Sequence, residues 1–344
     1  MKKNRLFNKV NKKELKVALS NESYKRITAS FYRYINIPNP NDLRDELYLQ
    51  WEQMKIFGRV YIAYEGINAQ ISIPEHHWEN FNDEIIEIEL LKKISIKTAL
   101  QEGPSFYKLT IKVRDELVAF GLSKESYNME KVGNHLNAED YNYAIDDPNS
   151  IIVDMRNFYE SEVGQFENAI IPDAEKSKEL LPEVSRILKG KESKKILLYC
   201  TGGIRCEKAS SFLIKNGFKD VNQLQGGIIQ YAHEINKKGL KSKFKGKNFV
   251  FDNRLGERIT DDVIASCHVC GATCDEHTDC KNEACHILFI QCKECSARLK
   301  GCCSKACLDF ASLPIEKQKV LRKDSNKVVS KTFFNSRVKP RLNQ

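Results

Sequence analysis

At 344 residues with 41% hydrophobic side chains, the chain is long enough for two or three domains that bury substantial cores. No stretch approaches the ~20 consecutive apolar residues of a membrane span, and the basic N-terminus lacks the apolar segment of a secretory signal, which argues against membrane-embedded and exported classes. The net charge of +9 is gathered into residues 1–16 (+6), 236–258 (+6) and 315–344 (+7), leaving the remainder acidic by about ten charges. Each segment alone reads as a solvated tail or linker. Three on one chain point to a polyanionic partner, and RNA fits better than a membrane because no basic amphipathic helix or lipidation signal is present.

After a basic tail over residues 1–25, residues 26–122 read as β-α-β-β-α-β, a ferredoxin-like α/β sandwich. Ile27–Tyr34 is rich in β-branched and aromatic residues, Pro38 and Pro40 punctuate, and Asp42–Met54 has helical periodicity. Gly58–Ala63 and Asn68–Ile73 form two strands around the turn Tyr64-Glu65-Gly66-Ile67. A helix runs from about Pro74 to Leu91, and Phe106–Val113 supplies the closing strand. Arg33 and the Glu65–Asn68 turn fit either a substrate surface or plain hairpin chemistry.

Residues 125–235 carry the strands Ile151–Asp154, Lys195–Cys200 and Val221–Leu224 alternating with helices, as a parallel α/β sheet demands, with Asn137 placed as a helix N-cap. Cys200 falls at the carboxyl end of a strand, where open α/β sheets bind ligands. It is followed by Thr201, Gly202, Gly203, Ile204 and Arg205, and then by a helix from Glu207 to Lys215 that stops at Asn216-Gly217. The two glycines allow backbone N–H groups to turn inward on the sulfur, at the positive end of a helix dipole. Cys200 is therefore expected to have a depressed pKa and to be nucleophilic, with Arg205 stabilising developing negative charge. Four residues between Cys200 and Arg205 make a ring sized for a single sulfur atom, such as the outer sulfur of a persulfide, rather than for phosphate.

This loop resembles the active-site loop of rhodanese domains. The resemblance extends to Ile151-Ile152-Val153-Asp154-Met155-Arg156 and to Leu224-Gln225-Gly226-Gly227-Ile228, and spans roughly residues 137–234. Asp154 and Arg156 are expected to form a buried ion pair shaping the active-site floor. Cys206 is expected to pack at the helix start, with resolution of an oxidised Cys200 as its alternative role.

Residues 236–258 form a basic linker, 259–310 a cysteine-rich region and 311–344 a basic C-terminal tail. Ten of the twelve cysteines lie between Cys267 and Cys307. Two C-x2-C knuckles make Cys267, Cys270, Cys292 and Cys295 a tetrahedral thiolate site with zinc-ribbon spacing, and the remaining six cysteines offer a second. Structural zinc is the leading reading, an iron–sulfur cluster the alternative. Thiols used for chemistry and metal, without a signal sequence, fit a reducing cytoplasm and disfavour disulfides.

The three parts together resemble the bacterial rhodanese-domain tRNA uridine hydroxylases. The match covers roughly residues 26–310 and is most specific at Asp154–Asn157, Tyr199–Ala209 and the Cys267–Cys307 array; where it implies a glycine after Asn68, this chain has Ala69. The resemblance implies oxygen-dependent 5-hydroxylation of the wobble uridine of tRNA, with Cys200 matching the essential loop cysteine. The residues themselves name no electron donor: no G-x-G-x-x-G follows a strand, and no two-His-one-carboxylate set for iron is visible. Read without the resemblance, the loop supports a persulfide-forming sulfurtransferase. A non-enzymatic RNA-binding or zinc-scaffold protein is disfavoured by the intact Cys200.

Overall fold

The computed structural model describes residue 6 and residues 8–323; residues 1–5, 7 and 324–344, which hold part of the basic charge of the two ends, lie outside them. The chain divides into two compact units. Among the described residues, the first comprises those up to 155 with 188–241 and 250–254, the second 156–187, 242–249 and 255–323.

The first unit begins with helix α1 (Lys12–Ser20), whose N-cap Asn11 accepts from the Lys13 N–H. Strand β1 (Arg26–Tyr34), helix α2 (Pro40–Gln53), strands β2 (Phe57–Ala63) and β3 (Gly66–Pro74), helix α3 (Trp78–Glu87) and strands β4 (Lys97–Thr98) and β5 (Leu109–Val113) follow. They form one sheet in the order β4-β1-β3-β2-β5. The expected ferredoxin-like sandwich is present, with two corrections. The edge strand beside β1 is the two-residue β4, antiparallel to it, whereas β5, expected to close the unit, lies at the opposite edge, parallel to β2. The expected Pro74–Leu91 helix is also shorter. Pro74 ends β3, and the extended backbone of Ile88 (ψ 106°) separates α3 from a last 3-10 turn.

Alternation along β1 decides what each face meets. Ala29 and Phe31 are buried in the sandwich core, where Phe31 packs edge-on to Trp51 at 6.4 Å, while Tyr32 and Tyr34 project from the other face. Strand β3 starts at Gly66 (φ +142°), so the connecting turn is only Tyr64-Glu65; a Cβ at Gly66 would lie 2.0 Å from the Arg33 carbonyl oxygen.

Strand β6 (Asn134–Leu136), helix α4 (Ala138–Ile145) and strand β7 (Ser150–Asp154) complete the first stretch, with Asn137 capping α4 by accepting from the Glu139 and Asp140 N–H groups. The chain then runs through helix α5 (Phe158–Ser161), strand β8 (Gly164–Phe166) and helix α6 (Ser177–Leu188). It continues with strand β9 (Lys195–Tyr199), helix α7 (Ile204–Lys215), strand β10 (Asp220–Leu224) and helix α8 (Gly227–Lys238). A fully parallel sheet has the order β6-β10-β9-β7. Ile196, Leu197, Leu198 and Tyr199 are all completely buried, the pattern of an interior parallel strand covered on both faces.

In the second unit β8 pairs with strand β11 (Phe244–Asn248), which pairs in turn with strand β12 (Glu257–Arg258). Strands β13 (His277–Asp279) and β14 (Leu288–Ile290) form a separate hairpin, followed by helices α9 (Lys293–Leu299), α10 (Lys305–Ala311) and α11 (Ile315–Lys323). The basic segment 236–258 therefore includes a strand, and several of its charges are already engaged. Lys247 and Arg258 pair with Asp275 at 3.0 and 2.5 Å, and, in the first unit, Arg254 pairs with Asp252. Among the described residues, no helix is long and apolar enough to cross a membrane.

Candidate active site

Strand β9 delivers Cys200 to the carboxyl edge of the parallel sheet, fully buried. The Gly203 N–H donates to Cys200 Sγ at 3.2 Å, and Gly203 adopts φ +101°, the left-handed geometry that the turn requires. Helix α7 starts at Ile204, three residues before the expected Glu207, so Arg205 and Cys206 sit in its first turn. From below, the Ile228 and Ile229 N–H groups donate to the carbonyl oxygens of Cys200 and Thr201 at 3.0 and 3.2 Å. That approach depends on Gly227, where a Cβ would lie 2.5 Å from the Cys200 carbonyl oxygen.

Burial raises the Cys200 pKa, but it is outweighed by the Cys206 thiol hydrogen bond, the Arg205 charge and the backbone N–H groups of Cys206 and Arg205, which bring it down to about 6. Cys206 shifts the other way: burial and its bond to Cys200 push it well above the usual thiol range. Arg205 is nearly buried, donates to Thr201 Oγ1 at 3.1 Å and lies 5.8 Å from the centre of the Phe251 ring. Cys200, Arg205 and the loop residues Thr201 to Ile204 thus form one constellation. Asp154, at the end of β7, and Arg156, in the second unit, are both fully buried; the Arg156 guanidinium donates to the carbonyl oxygens of Gly164 at 2.6 Å and Glu160 at 3.4 Å.

The next turn of α7 joins the loop to the N-terminal sheet. Glu207 accepts from Tyr32 Oη at 3.0 Å, from Gln223 Nε2 at 3.0 Å and pairs with His135 Nε2 at 2.7 Å. Burial raises the Glu207 pKa, but these bonds, led by His135, hold it below the usual carboxylate value; the same bond raises His135. Tyr34 Oη donates to the Ile204 carbonyl oxygen at 3.2 Å. Lys208, fully buried, reaches Glu116 at 2.8 Å and both carboxylate oxygens of Glu65 at 3.1 Å. The Glu65 turn is therefore an anchor for the loop-bearing helix.

Beside the loop lies a cavity of about 440 Å³, lined among others by Tyr32, Arg33, Lys97, His135, Glu207 and Glu234, within the range of small-ligand pockets. Arg33 donates from its place on this wall to the backbone carbonyl oxygens of Leu90 and Lys92. Most of these residues escaped the sequence reading. The alternation of β1 placed Tyr32 and Tyr34 on a common face, but nothing local marks Lys97, His135 or Glu207.

The second unit holds two groups of four cysteines, each with its sulfurs mutually within 4.8 Å: Cys267, Cys270, Cys292 and Cys295, as expected, and Cys280, Cys285, Cys303 and Cys307. Zn–S bonds of about 2.3 Å in a tetrahedron set sulfurs roughly 3.8 Å apart. Cys270 and Cys292 are 3.7 Å apart, Cys285 and Cys303 3.8 Å. Backbone N–H groups of Cys292 and Cys303 donate to the sulfurs of Cys267 and Cys280, favouring thiolates. Both groups fit a metal ion. The pairs alternate along the chain, first and third closing one group, second and fourth the other; Cys274 and Cys302 belong to neither.

A parallel sheet with a buried cysteine opening a six-residue loop at its carboxyl edge defines a rhodanese-domain protein. Family models match accordingly: the UPF0176 acylphosphatase like domain over residues 26–117, the rhodanese-like domain over 137–234 and the rhodanase C-terminal domain over 245–308. The chain is 50% identical to a tRNA uridine(34) hydroxylase of Leptospira interrogans, covering 100% of this chain and 94% of that protein. A tRNA uridine(34) hydroxylase of Photorhabdus laumondii is also 50% identical, over 92% of this chain and 91% of its own. The chain belongs to the tRNA uridine(34) hydroxylase family.

Proposed function

We propose that this protein hydroxylates C5 of the wobble uridine of tRNA with dioxygen and an external two-electron donor as co-substrates, one oxygen atom entering at C5 and the other leaving as water, and with Cys200 as the reactive group. The observation that carries the reading is the 50% identity to a tRNA uridine(34) hydroxylase along the whole chain, joined to an intact, activated loop thiol. With a pKa of about 6, Cys200 is mostly thiolate at neutral pH. The Gly203 N–H and the Arg205 guanidinium hold negative charge at the sulfur or on a group it attacks. Asp154 supports the sheet edge from its buried place at the end of β7.

Zinc is the metal that the two tetrads suit, each a closed set of four thiolates with a structural role. When bound it fixes the fold of the cysteine-rich region and offers no open position for chemistry. The basic segments 1–16, 236–258 and 315–344 attract the tRNA backbone by counterion release. A cytoplasmic location follows from the substrate and from the reduced thiols.

The test is nucleoside mass spectrometry of tRNA from a strain lacking the protein, complemented with wild type or C200S. Loss of 5-hydroxyuridine derivatives, restored by wild type and not by C200S, with thiolated uridines retained throughout, is the expected result. Loss of thiolation with hydroxylation intact overturns it in favour of sulfur transfer, the chemistry that the small loop supports by size.

A further inference from the structure

Lys97 stands out in the cavity wall. It lies on the two-residue strand β4, paired with Ser30 of β1, and is only 7% exposed. Its ammonium sits 4.9 Å from the centre of the Tyr32 ring, and among the described residues it has neither a hydrogen-bond acceptor nor a close ion-pair partner; Cys200 and Glu207 act on it only as charges at longer range. A desolvated cation without an acceptor is a costly arrangement unless something else supplies one. The cavity's own carboxylates are already engaged. Glu207 serves Tyr32, His135 and Gln223, and Glu234 accepts from the Ala138 N–H at 2.8 Å and from Gln230 Nε2 at 3.0 Å. A ligand in the cavity can supply the direct acceptor that these groups do not.

Resting on the reading of the chain as a wobble-uridine hydroxylase, we propose that Lys97 is a base-reading contact of the site: its ammonium donates to the O4 carbonyl oxygen of the target uracil, beside the Tyr32 ring, and selects uracil over cytosine. Cytosine carries an amino group at that position, so it presents a donor to a cation and leaves Lys97 unsatisfied. O4 is also the oxygen conjugated with C5, so a cation there stabilises negative charge that builds at the carbon to be hydroxylated.

The decisive measurement uses C200S protein, which holds substrate without turning it over, and anticodon stem-loop RNAs with uridine or cytidine at the wobble position. C200S is expected to prefer the uridine RNA by about tenfold, the worth of one charge-assisted hydrogen bond. Adding K97M should abolish the preference with the cytidine RNA bound as before, and K97R should retain part of it. Equal weakening toward both RNAs assigns Lys97 to a phosphate and overturns the proposal; so does a preference that survives K97M. In wild-type background, K97M should slow formation of 5-hydroxyuridine while melting at or above the wild-type temperature, since it removes an unsatisfied buried charge. Wild-type protein that leaves the uridine unhydroxylated overturns the functional reading instead, and the binding comparison still decides the role of Lys97.

Discussion

Cys206 keeps its proton so that Cys200 can lose its own. Cys206, in the first turn of α7, is hydrogen-bonded to Cys200 just past β9, and burial acts on both alike, yet Cys200 is brought down to about 6 and Cys206 pushed well above its usual value. The asymmetry comes from the Arg205 charge and the inward N–H groups, which address the sulfur of Cys200. Alkylation of Cys200 by iodoacetamide should accordingly rise with pH through a midpoint near 6 and level off above 7. In C206A the midpoint should move upward by roughly one unit, because a donor to the thiolate is gone. An unchanged midpoint would show that Cys206 only fills space.

The Lys208 cluster predicts a stability loss. Replacing Lys208 by Met leaves Glu65 and Glu116 facing each other, with the lysine itself wholly buried and the two acids partly exposed. Loss of one partner from a buried pair costs ~3–5 kcal/mol, and the partial exposure of the acids places K208M at the lower end. Urea unfolding of the full chain measures it; a loss under ~1 kcal/mol on that scale would mean that the cluster is solvent-screened.

His135 and Glu207 make a prediction about pH. His135 is raised by its bond to Glu207, against a burial effect that lowers it. Its contribution to stability is therefore fully present below the ordinary histidine pKa and is lost as pH rises through the elevated one. Glu207 is held below its ordinary value, so its contribution disappears only as the medium becomes acidic enough to protonate it. In NMR titrations the His135 midpoint should lie above 6.5 in wild type and fall below that value in E207Q, where only burial remains. A midpoint that does not move would separate the two residues electrostatically.

Metal content follows from the tetrads. Purified wild-type protein is expected to carry two zinc ions per chain, C280S or C285S at most one, and C274S or C302S two, since those last thiols lie outside both groups. Elemental analysis reads all of these directly. Iron in place of zinc, or full loading of C280S, would refute the assignment.

The legible part of this protein was the part written locally. Cys200 to Arg205 and the Asn137 cap are contiguous signals, each fixed by a strand end, a glycine turn or a side-chain cap. The cavity was not, because Tyr32, Lys97, His135 and Glu207 come from four distant segments joined by tertiary pairing, and a two-residue strand such as β4 has no periodicity to read. The same shortage of pattern displaced the closing strand, since Leu109–Val113 had the stronger β signature and the shorter Lys97–Thr98 the correct edge. In the cysteine array the two C-x2-C knuckles announced one tetrad. The second stayed hidden because its pairs have wider spacing and the Cys302-Cys303 doublet obscures which sulfur faces inward.

The alternation of the cysteine pairs couples the fates of the two metal sites. The stretch closed by joining Cys270 to Cys292 contains Cys280 and Cys285, and the stretch closed by joining Cys285 to Cys303 contains Cys292 and Cys295. Filling either site draws together the loose ends of the other, so the first ion bears most of the chain-ordering entropy and the second binds to a half-built cage. Loading should pass from empty to full with little singly occupied protein between, and a chelator should strip both ions together or neither.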